Sequence, residues 1–369
     1  MLFRSHPRFH IGESLLPANV PLLEALGVRA EVEAIGMPKW GVEFCSPTHA
    51  HRSFIEFGDA WDKSMPMAWQ VRRSDFDHIL FRRAAECGAQ LVEGCKVRRV
   101  QLADPARPGT PAEVDATAAD GTAVRYRARF LIDASGRDTL LANHLGLKRR
   151  NPRHNSAALF AHFRGAQRLP GRLEGNISIF WFQHGWFWFI PLADGSTSVG
   201  AVCWPHYLKS RSKPLTEFFR DTIAMSPELA ERLAGAELVD DRVHATGNYS
   251  YTSTRGSGDG FLLLGDAYAF IDPVFSSGVY LAMANAFQAA DAVATCLDRP
   301  QQARAALRRY ERHLRRGPRA FSWFIFRMTN PTMRELFMQP RNVMRVKEAV
   351  LALLAGDIYG ASPIGARSE

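Results

Sequence analysis

The chain has 369 residues and a formal net charge of +9, with 46% hydrophobic and 22% charged residues. At about 150 residues per domain, this length predicts two domains, or one large α/β domain with an insertion. The composition excludes a mainly disordered chain, a collagen or a coiled coil. No run reaches the roughly 18 apolar residues of a membrane span, and the first residues lack the apolar core of a signal peptide.

The charge and the cysteines limit the expected partners. Much of the positive charge lies in residues 304–319, which hold seven arginines and one glutamate at helical spacing. This spacing predicts a solvated helix face and no nucleic-acid partner. The five cysteines are scattered without a C-x-x-C pair, so we expect a cytoplasmic protein without disulfides. His49 and His51 have no further ligands nearby, so we expect no metal site.

Strands and helices alternate at both ends of the chain, around an antiparallel middle. The predicted elements, in chain order, are a helix over 19–27, strands within 42–57, a helix over 75–87, strands at 91–92, 97–100, 113–118, 124–126 and 130–133, a helix from about 139, a hairpin over 177–191, a strand at 261–264, a helix over 278–297 and further helices after 318. This order indicates an α/β fold with an inserted sheet.

The predicted hairpin has an unusual concentration of aromatic residues. Seven of residues 180–189 are Phe or Trp, and Trp186, Trp188 and Ile190 alternate along the second strand. Aromatic residues favour strands, so the pattern fits ordinary sheet core. It also fits an aromatic wall for a flat ligand.

Two apolar strands end in an aspartate followed by a small residue. One leads into Asp133 and Gly136, and the other into Gly265 and Asp266. Ligands of open α/β sheets bind at the carboxyl ends of strands, where a carboxylate can accept hydrogen bonds from ribose or ribityl hydroxyls. The alternative is an ordinary turn at each strand end.

The segment from Phe270 to Gly278 joins the second of these strands to a helix. The first amides of that helix, at Ser277 and Gly278, are free donors at the positive end of the helix dipole. They can bind an anion or a flavin carbonyl. The alternative is a serine-rich helix cap without a ligand.

Four segments together resemble the flavin-dependent halogenases, the tryptophan-halogenase-like branch of the class A flavin monooxygenase fold. The segment from Arg8 to Pro17 resembles the one beside the flavin ring, and Gly265-Asp266 resembles the FAD-contacting Gly-Asp pair. Residues 186–191 fit W-x-W-x-I-P. Residues 270–278 fit F-x-x-P-x-x-S-x-G.

The resemblance implies an FAD-binding domain of the Rossmann-like, p-hydroxybenzoate hydroxylase type. We expect this domain to comprise residues 1–40, 70–150 and 255–300. Residues 41–69 and 151–254 are then an antiparallel sheet and substrate region, and residues 301–369 a helical segment.

The resemblance also implies an activity. A separate flavin reductase supplies FADH₂, which reacts with O₂ to give a flavin hydroperoxide, and chloride then yields hypochlorous acid. That acid passes through a tunnel to Lys39, which directs it onto an aromatic or heteroaromatic substrate. The implied FAD contacts are Gly12, Glu13, Ser14, Asp133, Gly136, Gly265, Asp266 and Pro273. Ser277 and Gly278 would hold the halide, and Trp186, Trp188, Phe270, Phe275 and Ser276 would line the tunnel or substrate wall.

The chain departs from the family pattern at two places. Phe275 stands where tryptophan-specific members have a glutamate, which favours a phenol, a pyrrole or a carrier-tethered substrate over free tryptophan. The family's G-x-G-x-x-G unit is also missing, because the Gly256–Gly260 run precedes a strand and predicts a turn. We therefore expect this chain to bind FAD poorly and the working protein to begin about 35 residues upstream. Two alternatives remain: a flavin monooxygenase or reductase of the same fold, and a non-catalytic remnant.

Overall fold

The structure is a computed structural model that describes residues 5–103, 110–152, 156–247, 250–327, 330–339 and 346–359. The strands are β1 Met37–Lys39, β2 Gly41–Cys45, β3 Ser53–Glu56, β4 Ala68–Gln70, β5 Lys96–Gln101, β6 Ala112–Thr117, β7 Ala123–Ala128, β8 Leu131–Asp133, β9 Lys148–Arg150, β10 Ala157–Arg164, β11 Ile177–Phe182, β12 Gly185–Pro191, β13 Ser196–Cys203, β14 Glu237–Leu238, β15 His244–Thr246, β16 Tyr251–Ser253, β17 Ser257–Gly258, β18 Phe261–Leu263 and β19 Ala269–Phe270. The helices are α1 Val20–Leu26, α2 Arg29–Ile35, α3 Arg73–Glu86, α4 Leu140–His144, α5 Pro205–Lys209, α6 Leu215–Ala224, α7 Pro227–Arg232, α8 Ser277–Asp298, α9 Ala303–Ile325, α10 Pro331–Met338 and α11 Val346–Ala355.

The inserted sheet has the strand order β14-β10-β13-β12-β11-β2-β3, with β15 also paired to β10. Its pairs are antiparallel except β2 with β11, which run parallel with Val42 opposite Ile177. The predicted aromatic hairpin is confirmed as β11 and β12, where Phe182 faces Gly185 across the turn. The α/β fold with an inserted, mainly antiparallel sheet is therefore confirmed.

Both faces of the central strands are buried, which explains why their sequences lack polar alternation. Trp186 and Trp188 project into a cluster on one face that includes Phe275. Phe187 and Phe189 project into a second cluster on the other face, which α6 also joins. A strand between two apolar layers can be hydrophobic at every position.

A smaller sheet, β17-β18-β8, brings the two Asp-containing strand ends together. Strands β8 and β18 run parallel, with Leu263 opposite Asp133, so both ends lie on one edge. The Gly256–Gly260 run forms β17 and the turn into β18, as the sequence predicts.

Local expectations were met unevenly. The helix predicted over 75–87 is α3, and the one over 278–297 is α8. The strand predicted at 91–92 is wrong, because Leu91 and Val92 form no ladder. Val92 is 48% exposed, and Gly94 turns the chain at a φ of +61°. An apolar pair without a core to cover it does not stay in a sheet.

The arginine-rich stretch forms the first part of α9. Arg304, Arg308, Arg309, Arg312 and Arg319 are exposed along it, while Tyr310 and Leu314 of the same helix are buried against β18. The predicted solvated face is confirmed. Within the described ranges, no helix is both long enough and apolar enough to span a membrane.

Candidate functional site

Lys39 ends β1 and is buried, with 1% of its surface exposed. Its Nζ donates hydrogen bonds to Ser14 Oγ at 2.9 Å and to the Leu15 carbonyl at 2.8 Å, and it lies 5.2 Å from the centre of the Phe57 ring. Among the described residues, no carboxylate pairs with this amine. Burial therefore lowers the pKa of Lys39 to about 7, and much of it is unprotonated near neutral pH.

A narrow cavity of about 10 Å³ connects Lys39 to the segment before α8. Its lining is mostly apolar, and it includes Phe275 and Ser276. A volume of this size holds about one water-sized molecule. Thus Lys39 faces the same small space as residues more than 200 positions away in the sequence.

The segment before α8 is a tight turn that presents a helix N-terminus. Asp272 accepts hydrogen bonds from the Val274 amide at 3.2 Å and from Ser156 Oγ at 3.0 Å. The Ser276 amide bonds to the Pro273 carbonyl at 2.8 Å, and Ser276 itself adopts a left-handed φ of +54°. This turn ends one residue before the helix.

The first turn of α8 carries no acidic side chain. Ser277 is 2% exposed, whereas Gly278 is open to solvent. A Cβ added at Gly278 would meet no atom within 4 Å. Because the N-terminal amides of a helix are free donors at the positive end of its dipole, they suit an anion.

The two aspartates predicted at the strand ends differ in their surroundings. Asp133 accepts hydrogen bonds from the Ser135 amide at 2.9 Å and the Leu141 amide at 2.7 Å, so it orders its own turn and the start of α4. Asp266 is half-buried, and this burial raises its pKa to about 6, although Arg137 and Arg73 favour the charged form. Unlike Asp133, Asp266 has no hydrogen-bond donor to its carboxylate among the described residues.

Two glycines at these strand ends have positive φ angles, +62° at Gly136 and +54° at Gly265. A Cβ at Gly265 would lie 3.0 Å from the Cβ of Ala282 in α8. The glycine therefore lets the end of β18 approach α8 closely.

The segment Gly12-Glu13-Ser14 runs beside β4 and brings the N-terminal part of the chain to Lys39. Gly12 has a φ of +106°. Glu13 is 2% exposed and bonds through Oε1 to His162 Nε2 at 2.7 Å. Its second oxygen, Oε2, is buried and has no hydrogen-bond partner among the described residues. A buried carboxylate oxygen without a donor is costly, so this atom points to a missing partner.

His162 and the link from Ser14 to Lys39 are features that sequence reasoning missed. The single available signal was that His162 interrupts the apolar residues at 157–163 of β10. The contact between Ser14 and Lys39 left no sequence signal, because it joins a residue outside the strands to the end of β1 through tertiary packing.

The aromatic pair of β12 lies in the core. Trp188 Nε1 donates to Ser198 Oγ at 3.1 Å, and Gly200 leaves space for its ring, since a Cβ there would lie 2.1 Å from the indole. Trp186 and Trp188 share a buried cluster with Phe275, but Ile177 and Ile179 of the neighbouring strand line the Lys39 cavity. The role of Trp186 and Trp188 in the tunnel or substrate wall stays a prediction.

Phe270 is the first residue of the segment that leads into α8. The Arg137 guanidinium is 5.2 Å from the centre of its ring, and the Tyr251 ring stacks against it at 6.3 Å. Phe270 is half-buried. Its predicted contribution to the tunnel also stays a prediction.

Comparison with known proteins decides the family. A family model described as tryptophan halogenase matches residues 59–337. The chain belongs to the tryptophan halogenase family. The flavin-dependent halogenase armH3 of Armillaria mellea is 32% identical over 314 residues, which cover 79% of this chain and 61% of that protein. The chain spans less than two thirds of the length of the first curated relatives that it matches.

Two further family members match over more of their own length. The 1H-pyrrole-2-carbonyl-(peptidyl-carrier protein) chlorinase of Pseudomonas fluorescens is 28% identical over 375 residues, covering 95% of this chain and 82% of that protein. The myxobacterial chondrochloren halogenase CndH, described as a variant of FAD-dependent halogenases, has a TM-score of 0.82. It is 32% identical, and the match covers 96% of this chain and 83% of that structure.

Proposed function

We propose that this tryptophan halogenase family member carries out FADH₂- and O₂-dependent halogenation of an aromatic or heteroaromatic substrate. The observation that carries the proposal is the position of Lys39. Its buried amine shares with the segment leading into α8 a cavity that holds about one water-sized molecule and is too small for an aromatic ring. An amine whose pKa is about 7 can meet that species as a hydrogen-bond donor or as a nucleophile.

The described residues fit the flavin end of FAD. The partnerless Oε2 of Glu13, the carboxylate of Asp266 and the amides at the start of α8 would offer it acceptors and donors. We propose that Gly12, Ser14, Asp133, Gly136, Gly265 and Pro273 also contact FAD. When bound, reduced FAD and dioxygen supply the oxidising power that converts halide into hypohalous acid. The domain boundaries remain predictions.

The amides of Ser277 and Gly278 would hold chloride. No cationic side chain lies in residues 270–278, so the dipole of the 22-residue helix α8 would supply the positive potential. The open space at Gly278 leaves room for the ion.

Lys39 would then direct the halogen to substrate. A protonated Lys39 donates a hydrogen bond to hypochlorous acid and polarises it. An unprotonated Lys39 reacts with it, forming an N–Cl bond and releasing water. The aromatic ring then takes the chlorine and gives up a proton, which restores the amine.

Substrate class follows from Phe275 and from the relatives. Phe275 is 2% exposed and packs against Phe321 and Phe337, so no carboxylate stands at this point to bind a substrate amine. One relative is named for a pyrrole carried by a peptidyl carrier protein. We therefore propose a phenol, a pyrrole or a carrier-tethered ring as substrate, and a separate flavin reductase as the source of FADH₂.

The test is a product assay on the flavin-loaded protein, supplied with FADH₂, O₂, chloride and a panel of phenols and pyrroles. Lys39→Ala should abolish chlorinated product, while FADH₂ oxidation by O₂ continues. Lys63→Met, at an exposed site, serves as the matched lysine control. Chlorination by Lys39→Ala at the normal rate would contradict the role of Lys39, and a hydroxylated product independent of halide would identify a monooxygenase instead.

A further inference from the structure

The amine of Lys39 is held by two acceptors from a single stretch of chain. Ser14 Oγ lies 2.9 Å from Nζ and the Leu15 carbonyl oxygen 2.8 Å. A tetrahedral nitrogen has four positions, and Cε with these two N–H bonds occupies three of them. The fourth carries the third proton when the lysine is charged and the lone pair when it is neutral. In both states that position remains for a molecule in the cavity that Lys39 lines.

Backbone hydrogen bonds hold the residues on either side of Ser14 against β4 and the residue that follows it. The Leu15 amide donates to the Trp69 carbonyl at 3.1 Å, and the Val71 amide donates to the Glu13 carbonyl at 2.8 Å. Ser14 forms an antiparallel bridge with Gln70. Ser14 and Leu15 are 4% and 0% exposed. The two acceptors are therefore set by the fold before any ligand binds.

A side-chain contact gives the same stretch a third anchor. Glu13 bonds to His162 of β10 at 2.7 Å, and both side chains are buried. Strand β10 belongs to the large sheet, whereas β1 and β4 form a separate pair. This contact joins the residue before Ser14 to the large sheet. It adds to the backbone hydrogen bonds that the stretch makes beside β4.

We infer that Ser14 is a positioning residue for Lys39, whose hydroxyl, together with the Leu15 carbonyl, orients the amine so that its fourth position meets the oxidised halogen. This inference rests on the proposed function and assigns Ser14 to the lysine as well as to the cofactor region. Ser14 does not react. It sets the direction from which Lys39 donates a proton or a lone pair.

A second consequence concerns the protonation of Lys39. A hydroxyl that accepts a hydrogen bond from an ammonium stabilises the charged form. Removal of the Ser14 hydroxyl should therefore lower the pKa of Lys39 further, by roughly one pH unit for a hydrogen bond of ordinary strength. A residue with a purely structural role would not move this titration.

The experiment compares Ser14→Ala, Ser14→Cys and Ser14→Thr with the wild type. Cysteine has nearly the same shape as serine but is a weak acceptor, so it tests the hydrogen bond even where alanine impairs folding. Threonine keeps the hydroxyl and should restore function. Ser253→Ala is the matched control, because Ser253 is 3% exposed and its hydroxyl has no partner among the described residues.

Two readouts separate this inference from the proposed function. The first is carbamylation of Lys39 by cyanate, a small amine reagent, followed across pH by peptide mass spectrometry. The second is chlorinated product per FADH₂ oxidised. We expect Ser14→Ala and Ser14→Cys to shift the carbamylation midpoint down by about one pH unit and to reduce product per FADH₂ by about tenfold or more. Ser14→Thr should resemble the wild type in both.

An unchanged carbamylation midpoint in both Ser14→Ala and Ser14→Cys would overturn the inference, whatever the product yield. A wild-type protein without halogenated product would refute the proposed function instead. The cyanate titration of Lys39 would still decide whether Ser14 controls the amine.

Discussion

Replacement of Lys39 by methionine should reveal the energetic cost of burying this amine. The pKa falls from 10.5 for an exposed lysine to about 7 in the fold. Between these values the unfolded chain binds a proton that the folded chain does not, so the stability of the wild type rises with pH there. At about 1.36 kcal/mol per pKa unit, the whole difference corresponds to about 5 kcal/mol, and the part gained between pH 6 and pH 9 to about 2–3 kcal/mol.

Lys39→Met has no such proton. The difference in free energy of unfolding, variant minus wild type, should therefore be largest at pH 6. This difference should decrease by about 2–3 kcal/mol by pH 9. Urea unfolding followed by tryptophan fluorescence at four pH values measures this difference. The exposed Lys63→Met variant should show no trend relative to the wild type. A difference between Lys39→Met and the wild type that stays constant, within about 0.5 kcal/mol, across this range would refute the reasoning.

Three further perturbations test other parts of the site. Trp188→Ala should cost about 3–5 kcal/mol of stability and increase peroxide or hydroxylated product, measured against Trp188→Phe; unchanged product ratios would leave core packing as its only role. Bromide soaked into crystals of the FAD-loaded protein should give anomalous density at the amides of Ser277 and Gly278, and density on surface arginines alone would count against the halide site. Burial raises the pKa of Asp266 to about 6, so wild-type stability should fall as pH rises from 4 to 7; Asp266→Asn should gain stability relative to it over this range in thermal melts, and a pH-independent difference would contradict that pKa.

The parts of the fold predicted well are those with a strong local pattern. The alternating aromatic residues of 177–191 predicted the hairpin and its turn, and the apolar runs leading into Asp133 and Gly265 predicted the two strands that the structure pairs in parallel. Leu91 and Val92 were mispredicted because two apolar residues suggest a strand even where no neighbour is present to pair with them.

The contacts within the candidate site could not be predicted from the sequence. Lys39 was identified by resemblance to a family, and the sequence around it does not reveal that it is buried without a carboxylate. The pairing of Glu13 with His162 joins residues from distant elements, and no spacing rule connects them. Such contacts depend on how separate sheets pack, which local periodicity does not encode.

The parallel pairing of β2 with β11 has a consequence for how the site assembles. Val42 must find Ile177 roughly 130 residues further along the chain, whereas β11, β12 and β13 meet their partners across short turns. Closing so long a loop costs chain entropy that only the completed sheet offsets. Because this pairing closes so long a loop, we expect β2 to join the sheet after β11, β12 and β13 have paired. We therefore expect an early intermediate to contain the aromatic hairpin and β13 while β2, and Lys39 two residues before it, are still undocked.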